Sequence, residues 1–171
     1  MALPKGMTAT SSIITVSGRI DEVAANTFVT DVQTLGLNPL DQEAFVVYAV
    51  QSDLSPPDAL PGINTGVTMT LSTTGRTTVG GLNDNNVFHQ HILQIRSTAP
   101  GDTVSFSQSG PDSASSSLPY IAIIATSNFS VNLQGFNNAN VNQGQFKVYG
   151  QRIRLSAAQY AALVQSELLS V

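Results

Sequence analysis

The sequence predicts an all-β fold, a sandwich or a barrel, with one short helix near the C-terminus. Apolar residues alternate with polar ones or form short β-branched runs, and Gly, Pro, Asn and Asp interrupt them about every ten residues. Only the final segment changes to a helical period. The 171 residues show no break in composition, and this length suits one domain. We expect residues 13–171 to form that domain and residues 1–12 to form a flexible N-terminal segment.

Nine segments have the pattern of β-strands, which predicts a fold of about eight or nine strands. Residues 67–72 alternate between apolar and polar side chains, as in a strand buried on one face. Residues 45–50 and 121–125 are mostly apolar, as in strands buried on both faces. The nine segments are residues 13–20, 27–35, 44–54, 67–73, 87–97, 103–108, 120–126, 129–133 and 145–155.

The serine-rich segment 109–117, with Gly110 and Pro111, predicts a mobile surface loop. The final segment predicts a helix at residues 157–169, because Ser156 and Gln159 form a capping box. This helix either covers an open end of the sandwich or docks on a neighbouring subunit or internal layer. Its apolar residues fall on one helical face: Tyr160, Leu163, Val164 and Leu168.

Charge is scarce in this chain. Only 11% of the residues are charged, against about 25% in an average soluble protein. Surfaces that a partner covers are depleted in Lys, Glu and Asp, so we interpret the chain as a component of an assembly. The net charge of −4 argues against nucleic-acid binding, which needs clustered Lys and Arg. Arg152 and Arg154 form the one local cluster, and we expect both to be solvated at a strand end.

The chain has no cysteine, which excludes disulfides, thiolate metal sites and cysteine nucleophiles. No stretch approaches the roughly 18 apolar residues that span a bilayer, and the N-terminus lacks the pattern of a signal peptide. We therefore expect a soluble protein made without a classical export signal.

His89 and His91 are the two histidines of the chain and the best candidates for metal ligands. In a strand they would point to the same face, and their spacing resembles the first half of the cupin metal motif. The glutamate that should follow is absent, so a carboxylate such as Glu43 or Asp84 would have to come from elsewhere. We expect no metal, no cofactor and no enzymatic activity, with both histidines on a polar strand face. A cupin-like metalloenzyme is the weakest hypothesis.

A glycan-binding or adhesin-type sandwich is the second hypothesis. Such a module stacks sugars on exposed aromatic rings, and this chain has no Trp, four Tyr and seven Phe. The phenylalanines that fall within predicted strands are expected in the core: Phe28, Phe45, Phe106, Phe129 and Phe146. The aromatic residues left as possible contacts are Tyr48, Tyr120, Tyr149 and Phe136.

From Leu37 onward, the order of features resembles the small single jelly-roll capsid proteins of icosahedral viruses that infect bacteria or archaea. It is most similar to the membrane-containing sphaerolipovirus type, which is built from two such proteins. The resemblance implies a single jelly-roll β-sandwich of about eight strands with a short C-terminal helix, standing upright on the shell. The residues that carry it are 43–50 before Pro56 and Pro57, 68–73, 87–96, 121–126, 129–135, 145–149 and 152–165.

The leading hypothesis is therefore a non-enzymatic capsid protein that self-assembles, or assembles with a second capsid protein, into an icosahedral shell. The resemblance implies a location in the virion, synthesis in the host cytoplasm and an underlying membrane. Because the chain has no basic arm, we expect no direct nucleic-acid binding. The candidate interface residues are Tyr160, Leu163 and Leu168.

Overall fold

A computed structural model of the chain describes residues 3, 6–99, 101–114 and 118–169. These residues form ten β-strands, one α-helix and a 3-10 turn at Pro39–Asp41. Each of the nine predicted strand segments overlaps an observed strand, with boundaries shifted by a few residues. The elements are β1 (Thr8–Ala9), β2 (Ile14–Asp21), β3 (Val29–Thr34), β4 (Glu43–Leu54), β5 (Thr65–Ser72), β6 (Val87–Ala99), β7 (Asp102–Gly110), β8 (Ala122–Ile124), β9 (Asn128–Phe136), β10 (Gln143–Arg154) and α1 (Ala157–Leu169).

Strands early in the chain pair with strands late in the chain, and the innermost pair consists of two consecutive strands. β2 pairs with β10, β3 with β9, β4 with β8 and β5 with β6, all antiparallel. Two sheets result: sheet A has the order β2-β10-β4-β8 and sheet B the order β3-β9-β5-β6. β1 adds to sheet A beside β10, and β7 adds to sheet B beside β6. This pairing is that of a jelly roll, so the expected single jelly-roll sandwich with a C-terminal helix is confirmed.

The main core lies between the two sheets and consists of inward side chains from both. Phe45 of sheet A and Met69 of sheet B are fully buried there. Phe129 packs edge to face against Phe88 and Phe146, with ring centroids 5.9 Å and 6.0 Å apart. Phe45, Phe129 and Phe146 therefore lie in the core, as predicted.

A second apolar cluster covers the outer face of sheet A. Ala44 and Val46 alternate with the inward residues of β4 and are fully buried against α1 and the N-terminal segment. β4 is thus covered on both faces, as its sequence predicts. The helix lies on a sheet face rather than over an open end, because the outward apolar residues of β4 need a covering layer. Within the described residues, no helix is long and apolar enough to cross a membrane.

Part of the N-terminal segment joins sheet A. Thr8 and Ala9 pair with Arg154 and Ile153 of β10. These two residues differ from the flexible segment expected for residues 1–12, because the end of β10 offers unpaired backbone groups that a short strand can satisfy.

The mobile loop expected at residues 109–117 is wrong in its first part. β7 continues to Gly110, and the chain then pairs with β4. Val50 N–H donates to Asp112 O at 2.8 Å, and Ala114 N–H donates to Tyr48 O at 3.2 Å. The three-residue β8 covers only the start of β4, which leaves this edge open for the returning chain. Residues 115–117 lie outside the described part of the chain.

The polar face of β5 is buried, although its alternating pattern predicts exposure. Thr70 and Ser72 are both 0% exposed. The connection from β5 to β6 begins beside them, since Ser72 Oγ donates to Thr74 O at 2.8 Å and Asn86 Nδ2 donates to Thr74 Oγ1 at 2.7 Å. Alternation along one strand reports which side chains share a face, and it carries no information about what covers that face.

Three further residues differ from their expected surroundings. Phe106 is 49% exposed, because β7 extends sheet B beyond the eight strands of the roll. Phe28 precedes β3 and is only half-buried. Arg152 is half-buried rather than solvated, and its Nη2 donates to Leu35 O at 2.9 Å.

Candidate functional site

α1 begins at the capping box that the sequence predicts. Gln159 N–H donates to Ser156 Oγ at 3.4 Å, and Ser156 N–H donates to Gln159 Oε1 at 3.3 Å. From this start, the helical period turns Tyr160, Leu163 and Val164 onto the apolar cluster of sheet A. Tyr160 and Leu163, two of the three predicted interface residues, are therefore half-buried within their own subunit. Their contribution to an interface stays a prediction.

Leu168, the third predicted interface residue, is 63% exposed, and Leu169 beside it is 78% exposed. The prediction that Leu168 shares the packed face with Tyr160 is wrong. Glu167 occupies that face, because seven residues, or two helical turns, separate it from Tyr160. Leu168 is instead directed toward solvent, where a neighbouring molecule can reach it.

Glu167 is a buried carboxylate that the apolar pattern of the helix does not predict. It is only 6% exposed and accepts hydrogen bonds from the backbone N–H groups of Ala125 and Thr126 at 2.7 Å and 3.0 Å. Burial raises the pKa of this carboxyl above its ordinary value. The available signal was its position, since Glu167 lies four residues after Leu163 on the apolar helical face.

A cleft of about 730 Å³ lies between α1 and the neighbouring edge of the sandwich. Its apolar lining comes from the start of β6, the segment around β8 and the helix. Glu167 is the single titratable side chain among the residues that line it. The apolar lining residues include Val87, Phe88, Ile121, Ile123, Leu163 and Leu169.

The two histidines lie on the inner face of β6, between the sheets. His89 is 0% exposed and His91 is 9% exposed, and they pair with the core residues Leu71 and Met69. The expectation of a polar strand face is therefore wrong, while their shared direction is confirmed. Both rings contact one hydroxyl of the opposite sheet: Ser52 Oγ lies 2.8 Å from His89 Nε2 and 2.9 Å from His91 Nδ1.

The hydrogen bonds assign the proton positions of this cluster. His89 Nδ1 lies 3.1 Å from Pro111 O, and a carbonyl only accepts, so Nδ1 carries the proton. His89 Nε2 then accepts the Ser52 hydroxyl proton, and Ser52 Oγ accepts from His91 Nδ1–H. Burial lowers the pKa of both His89 and His91, which keeps the two rings neutral near pH 7.

The histidines do not form part of a recognisable metal centre. In the described ranges, no group of three or more His, Cys, Asp or Glu residues could hold a metal ion. The carboxylates considered from the sequence are engaged elsewhere. Asp84 pairs with Arg76 at 2.8 Å, and Glu43 accepts from Asn38 N–H at 3.0 Å.

Ser52, His89 and Asp112 have the residue types of a catalytic triad, but they are not arranged as one. Asp112 Oδ1 lies 3.8 Å from His89 Nδ1, whose proton goes to Pro111 instead. The His89 ring has no exposed surface on which to meet a substrate. The cluster joins β4, β6 and the segment after β7. The absence of enzymatic activity stays a prediction.

Comparison with known proteins finds no matching family model and no matching curated protein. Solved structures are similar in layout. VP1 of Merkel cell polyomavirus, solved with GD1a oligosaccharide, has a TM-score of 0.46 and 5% identity over 91% of this chain and 100% of that chain. A structure of Desmodium yellow mottle tymovirus has a TM-score of 0.31 and 11% identity over 91% and 94%.

A third similar structure comes from disulfide-linked pili of Bacillus endospore appendages, with a TM-score of 0.29 and 16% identity over 91% of this chain and 98% of that chain. Identities and TM-scores this low carry no function across. The jelly-roll fold is assigned from the strand pairing alone. The function is argued from the surface of the chain.

Proposed function

We propose that the chain is a structural subunit of a viral capsid, in which jelly-roll sandwiches pack side by side into an icosahedral shell. The observation that carries the proposal is a jelly roll whose charged side chains are mostly engaged within the subunit, so that its outer surface is polar and nearly neutral. Jelly rolls occur in capsid proteins, lectins and cupins. The surface therefore distinguishes these roles better than the fold does.

Buried contacts and ion pairs account for much of the charge. Glu22 is 5% exposed and accepts from the N–H groups of Gly135 and Asn142 at 2.6 Å and 2.8 Å. Because few charges remain to repel a second copy, neighbouring subunits can approach at little electrostatic cost. Three ion pairs take up further charges: Arg19 with Asp21, Arg76 with Asp84 and Arg154 with Asp41.

The end of α1 supplies apolar surface for such an association. Leu168 and Leu169 are exposed, and Leu169 also lines the 730 Å³ cleft. Exposed apolar side chains next to a groove are typical of protein interfaces. In this proposal Leu168 contacts the neighbouring subunit, while Tyr160 and Leu163 hold the helix against sheet A.

The proposal includes the partners that the sequence resemblance implies. These are further copies of the chain, a second capsid protein and a membrane beneath the shell, within a virion made in the host cytoplasm. The low count of basic residues, seven Lys and Arg in the whole chain, supports a shell that does not bind nucleic acid directly.

Association of the purified chain tests the proposal. Size-exclusion chromatography with light scattering should show oligomers whose mass rises with concentration. Leu168→Asp should weaken association at least about tenfold, because it places a charge in an apolar contact. Leu40→Asp is the matched control, since Leu40 is 89% exposed in the 3-10 turn.

Two results would contradict the proposal. One is a chain that stays monomeric at all concentrations, alone and when expressed with a second capsid protein. The other is equal weakening by Leu168→Asp and Leu40→Asp, which would show that the end of α1 is not a specific contact.

A further inference from the structure

One row of side chains crosses the outer face of sheet B. Phe136 of β9 pairs with Gly66 of β5, Gly66 with Gln94 of β6, and Gln94 with Phe106 of β7. Directly paired residues point to the same side of a sheet, and Val67, the neighbour of Gly66, points into the core. The row therefore faces outward. Phe136 is 60% exposed and Phe106 is 49% exposed.

The two rings stand at the ends of this row, and the outward surface between them is here called the outer groove. Strand spacing places the Cα atoms of Phe136 and Phe106 about 14 Å apart across three strand intervals. Gly66 lies between them, buried beneath its neighbours, and has no side chain that would rise between the two rings. The groove is thus long enough for a short oligosaccharide, with an aromatic platform at each end.

Two hollows of about 400 Å³ and 390 Å³ flank Phe136. The first reaches Gln94 and Arg96, and the second reaches Gln90 and Gln134. Each has the volume of a small-ligand site. Phe136 lines both hollows, so a ligand that occupied them would lie across its ring.

Hydrogen bonds and an ion pair within the subunit hold one wall of the second hollow in place. Gly80 and Gly81 line this wall. Gly81 N–H donates to Asp84 Oδ2 at 3.1 Å, Asp84 pairs with Arg76 at 2.8 Å, and Gln90 Nε2 donates to Gly80 O at 3.3 Å. A preformed wall reduces the conformational entropy lost when a ligand binds.

The polar lining is almost free of charge. Among the residues that line the two hollows, Arg96 is the single charged side chain, and its guanidinium carbon lies 5.4 Å from the centre of the Phe106 ring. The remaining polar groups are amides and hydroxyls, which both donate and accept hydrogen bonds. This chemistry complements the hydroxyl groups of a neutral sugar.

We propose that the outer groove binds a short neutral oligosaccharide. Sugar rings stack on Phe136 and Phe106, and their hydroxyls bond to the amides of Gln90, Gln94 and Gln134. A nucleic acid would require clustered basic residues, an added peptide strand would pair with a sheet edge rather than a face, and a lipid would require an apolar lining. The proposal goes beyond the capsid function and does not depend on it.

The test is an NMR titration of the full chain with four linear neutral trisaccharides: maltotriose, cellotriose, mannotriose and triacetylchitotriose. At least one should shift the side-chain amide signals of Gln90, Gln94 and Gln134. Phe136→Ala and Phe106→Ala should each weaken that binding roughly threefold to tenfold, the value of one aromatic contact. Leu40→Ala, a change at an exposed residue elsewhere, should leave it unchanged.

Trigalacturonic acid serves as the acidic comparison. The proposal is overturned if no neutral trisaccharide shifts these signals, if the shifts map outside the outer groove, or if the acidic sugar binds more tightly.

Light scattering distinguishes a failure of this proposal from a failure of the capsid proposal. Leu168→Asp should keep sugar binding, and the two phenylalanine variants should keep self-association. If those variants lose self-association and no sugar binds, the groove is a subunit interface instead.

Discussion

Glu167 in the last turn of α1 accepts a 2.7 Å hydrogen bond from the backbone N–H of Ala125, the residue that follows β8. A second bond from Thr126 N–H completes the contact. One buried carboxylate thereby accepts hydrogen bonds from two backbone N–H groups directly after β8, where the chain has left sheet A. It fixes the end of α1 that carries the exposed Leu168.

Removing this carboxylate should destabilise the subunit. Glu167→Ala leaves the Ala125 N–H buried without its acceptor, and we expect a loss of about 2–4 kcal/mol in the free energy of unfolding. Urea denaturation followed by circular dichroism measures this. Gln165→Ala, at an exposed position of the same helix, should change stability by less than about 0.5 kcal/mol. Equal midpoints for the two variants would show that the carboxylate does not hold the helix.

Acid should weaken the fold through the histidine pair. The pKa values of His89 and His91 are lowered from the ordinary value of 6.5, so below pH 6.5 the unfolded chain binds more protons than the folded chain. Their contribution is fully present above pH 6.5 and is lost as the pH falls below it. Asp112 and Asp53 oppose this shift but do not overcome burial.

Urea midpoints at pH 7.5 and pH 5.5 measure the effect. His91→Gln keeps an amide donor for Ser52 without a titrating ring, and its midpoint should depend less on pH. The raised pKa of Glu167 acts in the opposite direction, since it favours the folded state as the pH falls. The comparison is therefore repeated with Glu167→Ala. A histidine variant with the pH dependence of the unmodified chain would contradict the assignment.

Gly150 should not tolerate a side chain. It lies where the pairing of β10 with β4 shifts by one residue, and a Cβ there would meet the Phe45 ring and Val46 O. We expect Gly150→Ala to cost at least about 2 kcal/mol, because the core has no room to shift. Gly75→Ala is the control, since no atom lies within 4 Å of its Cβ position. Thermal denaturation of both variants distinguishes crowding from a general effect of replacing glycine.

Self-association should depend little on salt. Few charges are available for contacts between subunits, so screening has little to weaken. Light scattering in roughly 0.05 to 1 M NaCl covers Debye lengths from above 10 Å to about 3 Å. Dissociation into monomers at the high end of this range would show that ion pairs hold the subunits together.

Local patterns were sufficient where a side chain's surroundings depend on its own strand or helix. The apolar runs predicted the two-sided burial of β4, and Ser156 and Gln159 predicted the start of α1. In both cases the signal lies within a few neighbouring residues, and a local backbone geometry follows from it. The low charge of the surface was likewise determined by composition alone.

Contacts between distant segments were decided only by the tertiary structure. The sequence places His89 and His91 on one face, but only the packing of sheet A against sheet B brings Ser52 between them. The same holds for Phe106 and Phe136, expected in different surroundings and brought into one exposed row by the register of four strands. Strand pairing depends on the burial and hydrogen bonding of the whole chain. A short segment of sequence therefore does not determine it.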